Sequence, residues 1–152
     1  MDRLRILNTK ERKGLIALLR QQFGFAGRLD YAFLRRADGD IFVADAGAFA
    51  LDFSQLHLNS IGLYFGELQP DGLRLSIEGS QIVGPGAAHH TIGLDDAQKE
   101  MWMKGEAVAY PGKETGFVLV RSADDFLGCG KISGGKILNY VPKARRLHEV
   151  NG

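Results

Sequence analysis

The last third of the sequence consists of short strand-like runs separated by turn residues, and this spacing limits the folds that the chain can adopt. Pro-Gly, Ala-Asp-Asp and Ser-Gly-Gly breaks separate the runs, as is typical of small all-β units. The runs read EAVAY, GFVLVRS, FLGCGKI and KILNYV. Glycine supplies 20 of the 152 residues, and tight corners between strands favour it. We therefore predict a small, mostly antiparallel β-barrel after Gly105.

The first predicted element is a helix near the N-terminus. Asn8 can accept a hydrogen bond from the backbone of Glu11, whose side chain can reach back, as in a capping box. Apolar side chains at helical spacing follow from Leu15 to Phe23, and Gly24 can end the helix. A second, shorter helix is predicted over the run AQKEMWM, after an aspartate that can cap it.

Two hairpins are predicted after the first helix. An Asp38-Gly39 turn separates the runs LDYAFLRR and DIFVADA, and the residues QPDG separate IGLYFGEL from LRLSIEG. A short helix is expected between the hairpins, over residues 47–56. These elements predict an α+β protein with a small α/β module over residues 1–72 and a second domain over residues 73–152.

Charge is distributed unevenly along a chain whose formal net charge is only +1. Residues 1–36 carry nine basic and three acidic side chains, and residues 37–110 carry three and eleven. Residues 126–148 carry five basic side chains and no acidic one. An anionic partner is therefore expected to bind the C-terminal end and to be repelled by the middle of the chain. The alternative is an ordinary solvated face.

Composition excludes several other classes of protein. The hydrophobic fraction of 45% and the charged fraction of 24% are ordinary for soluble domains and exclude disorder. The single Cys129 cannot form an intramolecular disulfide. No run is long enough to span a bilayer, and the N-terminus lacks the apolar core of a secretion signal. We expect a soluble, cytoplasmic protein with no membrane partner.

Several segments of the second half resemble a PUA domain. Residues 77–86, IEGSQIVGPG, are similar to the first strand and Pro-Gly turn of that family, and residues 103–108, MKGEAV, resemble the corner that follows its helix. Residues 116–119, 127–131 and 135–143 are similar to the C-terminal PUA-like domain of RsmF-type rRNA cytosine methyltransferases of the Nol/Nop/Sun family. The first half resembles, more loosely, the small α/β domain that precedes the PUA domain in archaeal and eukaryotic NIP ribosome-biogenesis proteins.

The resemblance implies a PUA-type pseudobarrel over residues 73–152 and a non-catalytic RNA-binding protein of ribosome biogenesis or of rRNA or tRNA modification. The implied partners are rRNA or tRNA, together with an RNA methyltransferase or a ribosome-assembly factor. The alternative is an adaptor that binds such a protein partner without strong RNA binding of its own. No cofactor is expected, because no S-adenosylmethionine or dinucleotide motif is present in the sequence.

Seven of the predicted RNA-binding residues lie in the basic stretch, and the resemblance places the eighth, Lys104, beside it. Lysines would contact phosphates as point charges, and an arginine guanidinium would bind a phosphate in a bidentate manner or stack. A tyrosine would stack an unpaired base, unless it packs in the barrel, and an asparagine would read a base edge. The residues are Lys104, Lys131, Lys136, Asn139, Tyr140, Lys143, Arg145 and Arg146.

Three further features are interpreted as structural. His89 and His90 are adjacent and lack further ligands nearby in the sequence, so loop histidines are expected and no metal site. Cys129 lies between two glycines in a predicted strand, where a buried thiol is expected rather than a catalytic nucleophile. Trp102 is expected in the core. The sequence therefore predicts no catalytic residue.

Overall fold

The computed structural model describes residues 4–45 and 62–147, which contain two sheets and three α-helices. The first sheet is an antiparallel meander in which each strand pairs with the next one along the chain. Its strands are β1 (Arg5–Ile6), β2 (Tyr31–Arg35), β3 (Asp40–Asp45), β4 (Leu63–Gln69) and β5 (Gly72–Leu75). The short helix predicted over residues 47–56 lies outside the described residues.

Helix α1 (Thr9–Phe23) has the boundaries that its capping residues predict. The Asn8 side chain accepts a hydrogen bond from the Glu11 backbone at 2.8 Å, and the Glu11 carboxylate accepts one from the Asn8 backbone at 3.1 Å. Gly24 ends the helix with a φ of 61°, a left-handed conformation that glycine adopts readily. The apolar face of α1 packs into one core with the first sheet. The predicted capping box is thus confirmed.

Both predicted hairpins are confirmed, but the second ends earlier than expected. Strands β2 and β3 meet at the Asp38-Gly39 turn, and β4 and β5 meet at the turn before Gly72. The prediction that residues 77–86 begin with a strand is wrong. Helix α2 (Ile77–Val83) starts there, and a 3-10 turn (Gly84–Gly86) follows it.

Helix α2 forms in place of the expected strand because its first turn is capped and packed tightly. The Ser76 hydroxyl accepts a hydrogen bond from the Gly79 backbone at 2.9 Å. Gly79 also lets the helix lie against β4, since a Cβ there would collide with the Phe65 carbonyl oxygen. The same carbonyl accepts a hydrogen bond from the Ser76 backbone at 2.9 Å. The helix therefore depends on a contact with a distant strand, which the local sequence does not reveal.

The second sheet is curled and mostly antiparallel, with the order β6-β8-β9-β10-β7. Its strands are β6 (Thr91–Gly93), β7 (Val108–Ala109), β8 (Gly116–Ser122), β9 (Asp125–Ser133) and β10 (Lys136–Leu138). Strand β6 pairs with β8 in parallel, and the other pairs are antiparallel. The predicted α+β fold with a mostly antiparallel pseudobarrel is confirmed.

Helix α3 (Asp96–Met103) packs on the curled sheet through Trp102. Asp95 and Gln98 form a second capping box at its start. Trp102 is fully buried among valine and isoleucine side chains of the strands, and its Nε1 donates a hydrogen bond to the Leu127 carbonyl at 3.1 Å. This bond satisfies a polar atom that would otherwise be buried without a partner. The predicted core position of Trp102 is confirmed.

A hydrophobic core extends across both sheets. The cluster that contains the apolar face of α1 also contains Phe117, Leu119 and Cys129, which belong to β8 and β9. Lys131 of β9 forms an ion pair with Asp71, in the turn between β4 and β5. The two halves of the chain therefore pack directly on one another. The division into domains at residue 72 stays a prediction, and in the structure that position opens β5. None of the helices in the described ranges is long and apolar enough to cross a bilayer.

Candidate nucleic-acid interface

Asn139 fixes the segment that follows β10, residues 139–147, to the end of helix α3. Its Nδ2 donates hydrogen bonds to the Trp102 and Glu106 carbonyls, both at 2.9 Å. Its Oδ1 accepts a hydrogen bond from the Val141 backbone at 2.7 Å. All three partners are backbone groups, so the amide has a structural role here. Reading of a base edge by Asn139 stays a prediction, and it would require these bonds to break.

Arg146 and Lys104, two of the predicted RNA-binding residues, lie together at the C-terminal end of α3. Arg146 Nε donates a hydrogen bond to the Val141 carbonyl at 2.9 Å, and the side chain packs over Gly105. Gly105 has a φ of +91°, and a Cβ there would collide with the guanidinium. Cations are favoured at this position because the last carbonyls of a helix carry partial negative charge. The sequence therefore needs a glycine beside these two basic side chains.

Within the described parts of the chain, three of the six predicted cations form ion pairs with carboxylates. Lys104 pairs with Glu100 at 3.3 Å, and Arg145 Nη1 pairs with a Glu78 oxygen at 2.7 Å. Lys131 pairs with Asp71, and the hydrogen bond between them raises the pKa of the lysine and lowers that of the aspartate. These partners reduce the positive charge that the three side chains can offer to RNA, so an RNA phosphate would have to compete with each carboxylate.

Lys136, Lys143 and Arg146 have no carboxylate partner among the described residues. Lys136 opens β10, beside a turn of two glycines, and is exposed. Lys143 is exposed on a 3-10 turn (Lys143–Arg145) beyond the other end of that strand. The predicted cations therefore occupy both ends of β10 and do not form a single cluster.

A cleft of about 360 Å³ lies between the first sheet and the segment 139–147. Tyr140 and Arg145 line it from the predicted set, and Tyr64 and Arg74 line it from β4 and β5. The Arg74 guanidinium lies over the Tyr140 ring, 4.5 Å from the ring centroid. Tyr140 is therefore neither in the barrel interior nor fully exposed: it is half-buried against an arginine.

Tyr64 forms the outer wall of this cleft. Its hydroxyl lies 3.2 Å from a carboxylate oxygen of Asp40 and donates a hydrogen bond to it. Burial and the Asp40 charge together raise the pKa of Tyr64 to about 12, so its phenol stays neutral. Sequence reasoning did not identify Tyr64 or Arg74 as site residues. The sequence signal that could have indicated Arg74 is its position as one of three basic residues in the acidic stretch 37–110.

Cys129 lies at the floor of the cleft and is buried, as predicted. Burial raises the pKa of its thiol to about 12, which keeps it protonated at neutral pH. His89 and His90 lie in the loop before β6, as predicted, with their Nδ1 atoms 2.8 Å apart. Within residues 4–45 and 62–147, no three His, Cys, Asp or Glu side chains are grouped closely enough to hold a metal ion.

The curled sheet, the helix capped by Asp95 and the tryptophan buried between them form a PUA-like domain. The family described as "Methyltransferase RsmF PUA domain" matches residues 89–147, from just before β6 to the end of the segment that Asn139 anchors. The chain therefore carries a PUA-like domain related to that of RsmF-type rRNA methyltransferases. The resemblance expected for the second half is confirmed.

Two curated relatives have the name ribosomal RNA small subunit methyltransferase F. They come from Vibrio cholerae serotype O1, strain M66-2 and strain ATCC 39315 / El Tor Inaba N16961. Each is 28% identical to this chain over 90 residues, which cover 59% of this chain and 19% of the relative. The chain thus spans about a fifth of the length of these relatives. The looser resemblance of the first half to NIP proteins stays a prediction.

Proposed function

We propose that this protein is a non-catalytic RNA-binding protein of rRNA or tRNA modification or of ribosome biogenesis, and that it acts in the cytoplasm. The observation that carries the proposal is the basic segment 139–147 on a PUA-like domain related to that of rRNA methyltransferases. In this segment Lys143 and Arg146 have no carboxylate partner among the described residues and are available to phosphate.

Phosphate contacts would supply most of the affinity of this surface. A cation that neutralises a phosphate releases condensed counterions, which makes binding strongly dependent on salt. Lys143 is exposed and can reach a phosphate without giving up a carboxylate partner among the residues that the structure describes. Arg145 would exchange the Glu78 carboxylate for a phosphate, which has similar bidentate geometry. RNA binding would therefore leave the fold of the segment unchanged.

The proposal that the chain is not itself an enzyme is supported by its thiol chemistry. Cytosine methylation by a thiolate needs a reactive cysteine, and the single cysteine of the sequence is buried with a raised pKa. An RNA methyltransferase or a ribosome-assembly factor would then act as a separate partner. Transfer of label from S-adenosylmethionine to RNA by this chain alone would refute this part of the proposal.

An adaptor function is the second candidate, and a groove on the first half favours it. Ile6 and Tyr31 are exposed on neighbouring strands of the first sheet and line this groove with Leu7 and Phe33. Exposed apolar side chains that lie together are typical of protein-binding surfaces. In that case the first half would bind an assembly partner, and the PUA-like domain would bind RNA weakly or not at all.

Titration of labelled rRNA fragments and tRNA at several salt concentrations separates the two candidates. An RNA-binding protein that neutralises Z phosphates of a single strand should lose affinity with a slope near −0.7Z in a plot of log K against log salt. Lys143→Ala should flatten this slope by about 0.7, whereas Lys13→Ala, an exposed lysine of α1, should not. Binding that is absent or insensitive to salt would favour the adaptor.

A further inference from the structure

The cleft between the two halves combines aromatic rings with arginines, and the expected cation surface does not explain this combination. Tyr64 and Arg74 come from the first sheet, and Tyr140 and Arg145 come from the segment after β10. Single-stranded RNA is bound by this pair of residue types, since aromatic rings stack on bases and guanidiniums bind phosphates. The cleft therefore has the chemistry of a nucleotide subsite.

The size of the cleft matches one nucleotide. Its volume of about 360 Å³ is at the lower end of the range of small-molecule pockets, roughly 300–1,000 Å³. A base with its sugar fits into such a space, whereas a duplex does not. Gly62 and Gly128 are among the residues that line the cleft.

The stacking surfaces are already in place without a ligand. The Arg74 guanidinium and the Tyr140 ring form a pair at 4.5 Å, and Arg74 is only weakly paired with Glu67, at 4.0 Å. Tyr64 is 36% exposed, and the hydrogen bond to Asp40 limits rotation of its ring. Because these planar groups are held before binding, an inserted base would lose little free energy to side-chain ordering.

Charge at the rim suits the phosphate of the same nucleotide. Arg145 lies at the edge of the cleft, 49% exposed, and its carboxylate partner Glu78 also lines the cleft. A phosphate that replaces Glu78 would gain a bidentate arginine contact. The Glu78 carboxylate also repels a phosphate that carries no nucleobase to stack in the cleft, because the carboxylate and the phosphate are both anionic. Binding at this site should therefore require stacking and charge together.

We propose that this cleft holds one unpaired nucleotide of a bound RNA, with its base against Tyr64 and the Arg74–Tyr140 pair and its phosphate at Arg145. The inference rests on the proposed function and extends it, because it assigns part of the RNA contact to the first half of the chain. The preferred ligand is then single-stranded or bulged RNA.

The test measures the affinity and the salt slope of a short fluorescein-labelled single-stranded oligouridine by fluorescence anisotropy. Tyr64→Leu and Tyr140→Leu should each weaken binding by roughly 5- to 100-fold, because stacking on an aromatic ring is lost. The salt slope should stay unchanged, since no phosphate contact is removed. Tyr110→Leu is the matched control: Tyr110 is half-buried like Tyr140 but lies outside the cleft, and its loss should leave affinity unchanged.

The outcomes separate this inference from the proposed function. If the wild-type protein does not bind RNA, the proposed function itself fails. If it binds with a normal salt slope and neither cleft variant changes affinity, the nucleotide subsite is refuted while RNA binding stands. Tyr64 lies on the surface, so Tyr64→Leu decides the matter even if Tyr140→Leu unfolds. Photo-crosslinking with 4-thiouridine RNA should label peptides that contain Tyr64 or Tyr140, and labelling confined to other peptides would overturn the assignment.

Discussion

Replacement of Asn139 by alanine is expected to lower the free energy of unfolding by about 2 kcal/mol. The side chain forms three hydrogen bonds with backbone groups, to the Trp102 and Glu106 carbonyls and from the Val141 N–H. A hydrogen bond of this kind contributes about 1 kcal/mol net. The bond to Glu106 is exposed, so water can replace the amide there, which reduces the total to about 2 kcal/mol.

Thermal unfolding followed by circular dichroism measures this effect. In a chain of this size, about 1 kcal/mol shifts the Tm by roughly 2–4 °C, so Asn139→Ala should lower it by roughly 4–8 °C. Asn139→Asp keeps the acceptor for Val141 but places a carboxylate against two carbonyl oxygens, and it should destabilise at least as much. Lys136→Ala serves as the control, since an exposed substitution on the neighbouring strand should change stability by less than about 0.5 kcal/mol.

An unchanged Tm in Asn139→Ala would refute this reasoning. Combined with a loss of RNA affinity, that result would show that the amide reads a base edge and does not hold the segment in place. A lower Tm in both Asn139 variants, with Lys136→Ala unaffected, would support the structural role derived from the three backbone hydrogen bonds.

Three further predictions follow from single contacts. Gly105→Ala should lower the free energy of unfolding in urea by about 1–2 kcal/mol, because a left-handed φ disfavours alanine and the Arg146 side chain must move. A loss below about 0.5 kcal/mol would contradict this prediction. The hydrogen bond from Arg5 lowers the pKa of Glu11 to about 2. The stability advantage of the wild type over Glu11→Gln should therefore be complete above pH 4.5 and vanish as the pH falls through about 2. A stability difference in melting curves that does not depend on pH would contradict this prediction. Cys129 should not react with a thiol reagent at neutral pH until denaturant is added, and fast labelling of the native protein would show that the thiol is accessible.

Local signals predicted much of the fold. The capping box at Asn8, the aspartate that begins α3 and the turns at Gly39 and Gly72 depend on residues a few positions apart, and all of them occur in the structure. Helix α2 was missed because its packing against β4 requires Gly79 to approach a carbonyl on another strand. Strand β6 was missed because its parallel partner, β8, lies more than twenty positions further along the chain.

The candidate site was less predictable because its contacts are long-range. The sequence indicated the basic stretch, but not that Lys131 pairs with Asp71 or that Arg145 pairs with Glu78, 60 and 67 positions away. Nor does composition show that Tyr140 stacks on Arg74, since these residues belong to different halves of the chain. The local charge pattern therefore indicates the segment 139–147, whereas tertiary packing determines which of its side chains are free to contact RNA.

The core shared by α1, β8 and β9 has a consequence for how this protein folds and how its parts can be recombined. The family match begins at residue 89, yet Phe117, Leu119 and Cys129 within the matched part are buried against side chains that precede it. A fragment limited to residues 89–147 would expose these apolar side chains to water and is expected to aggregate or to remain partly unfolded. The whole chain should instead unfold in one cooperative transition, and only the two halves together should be transferable to another protein.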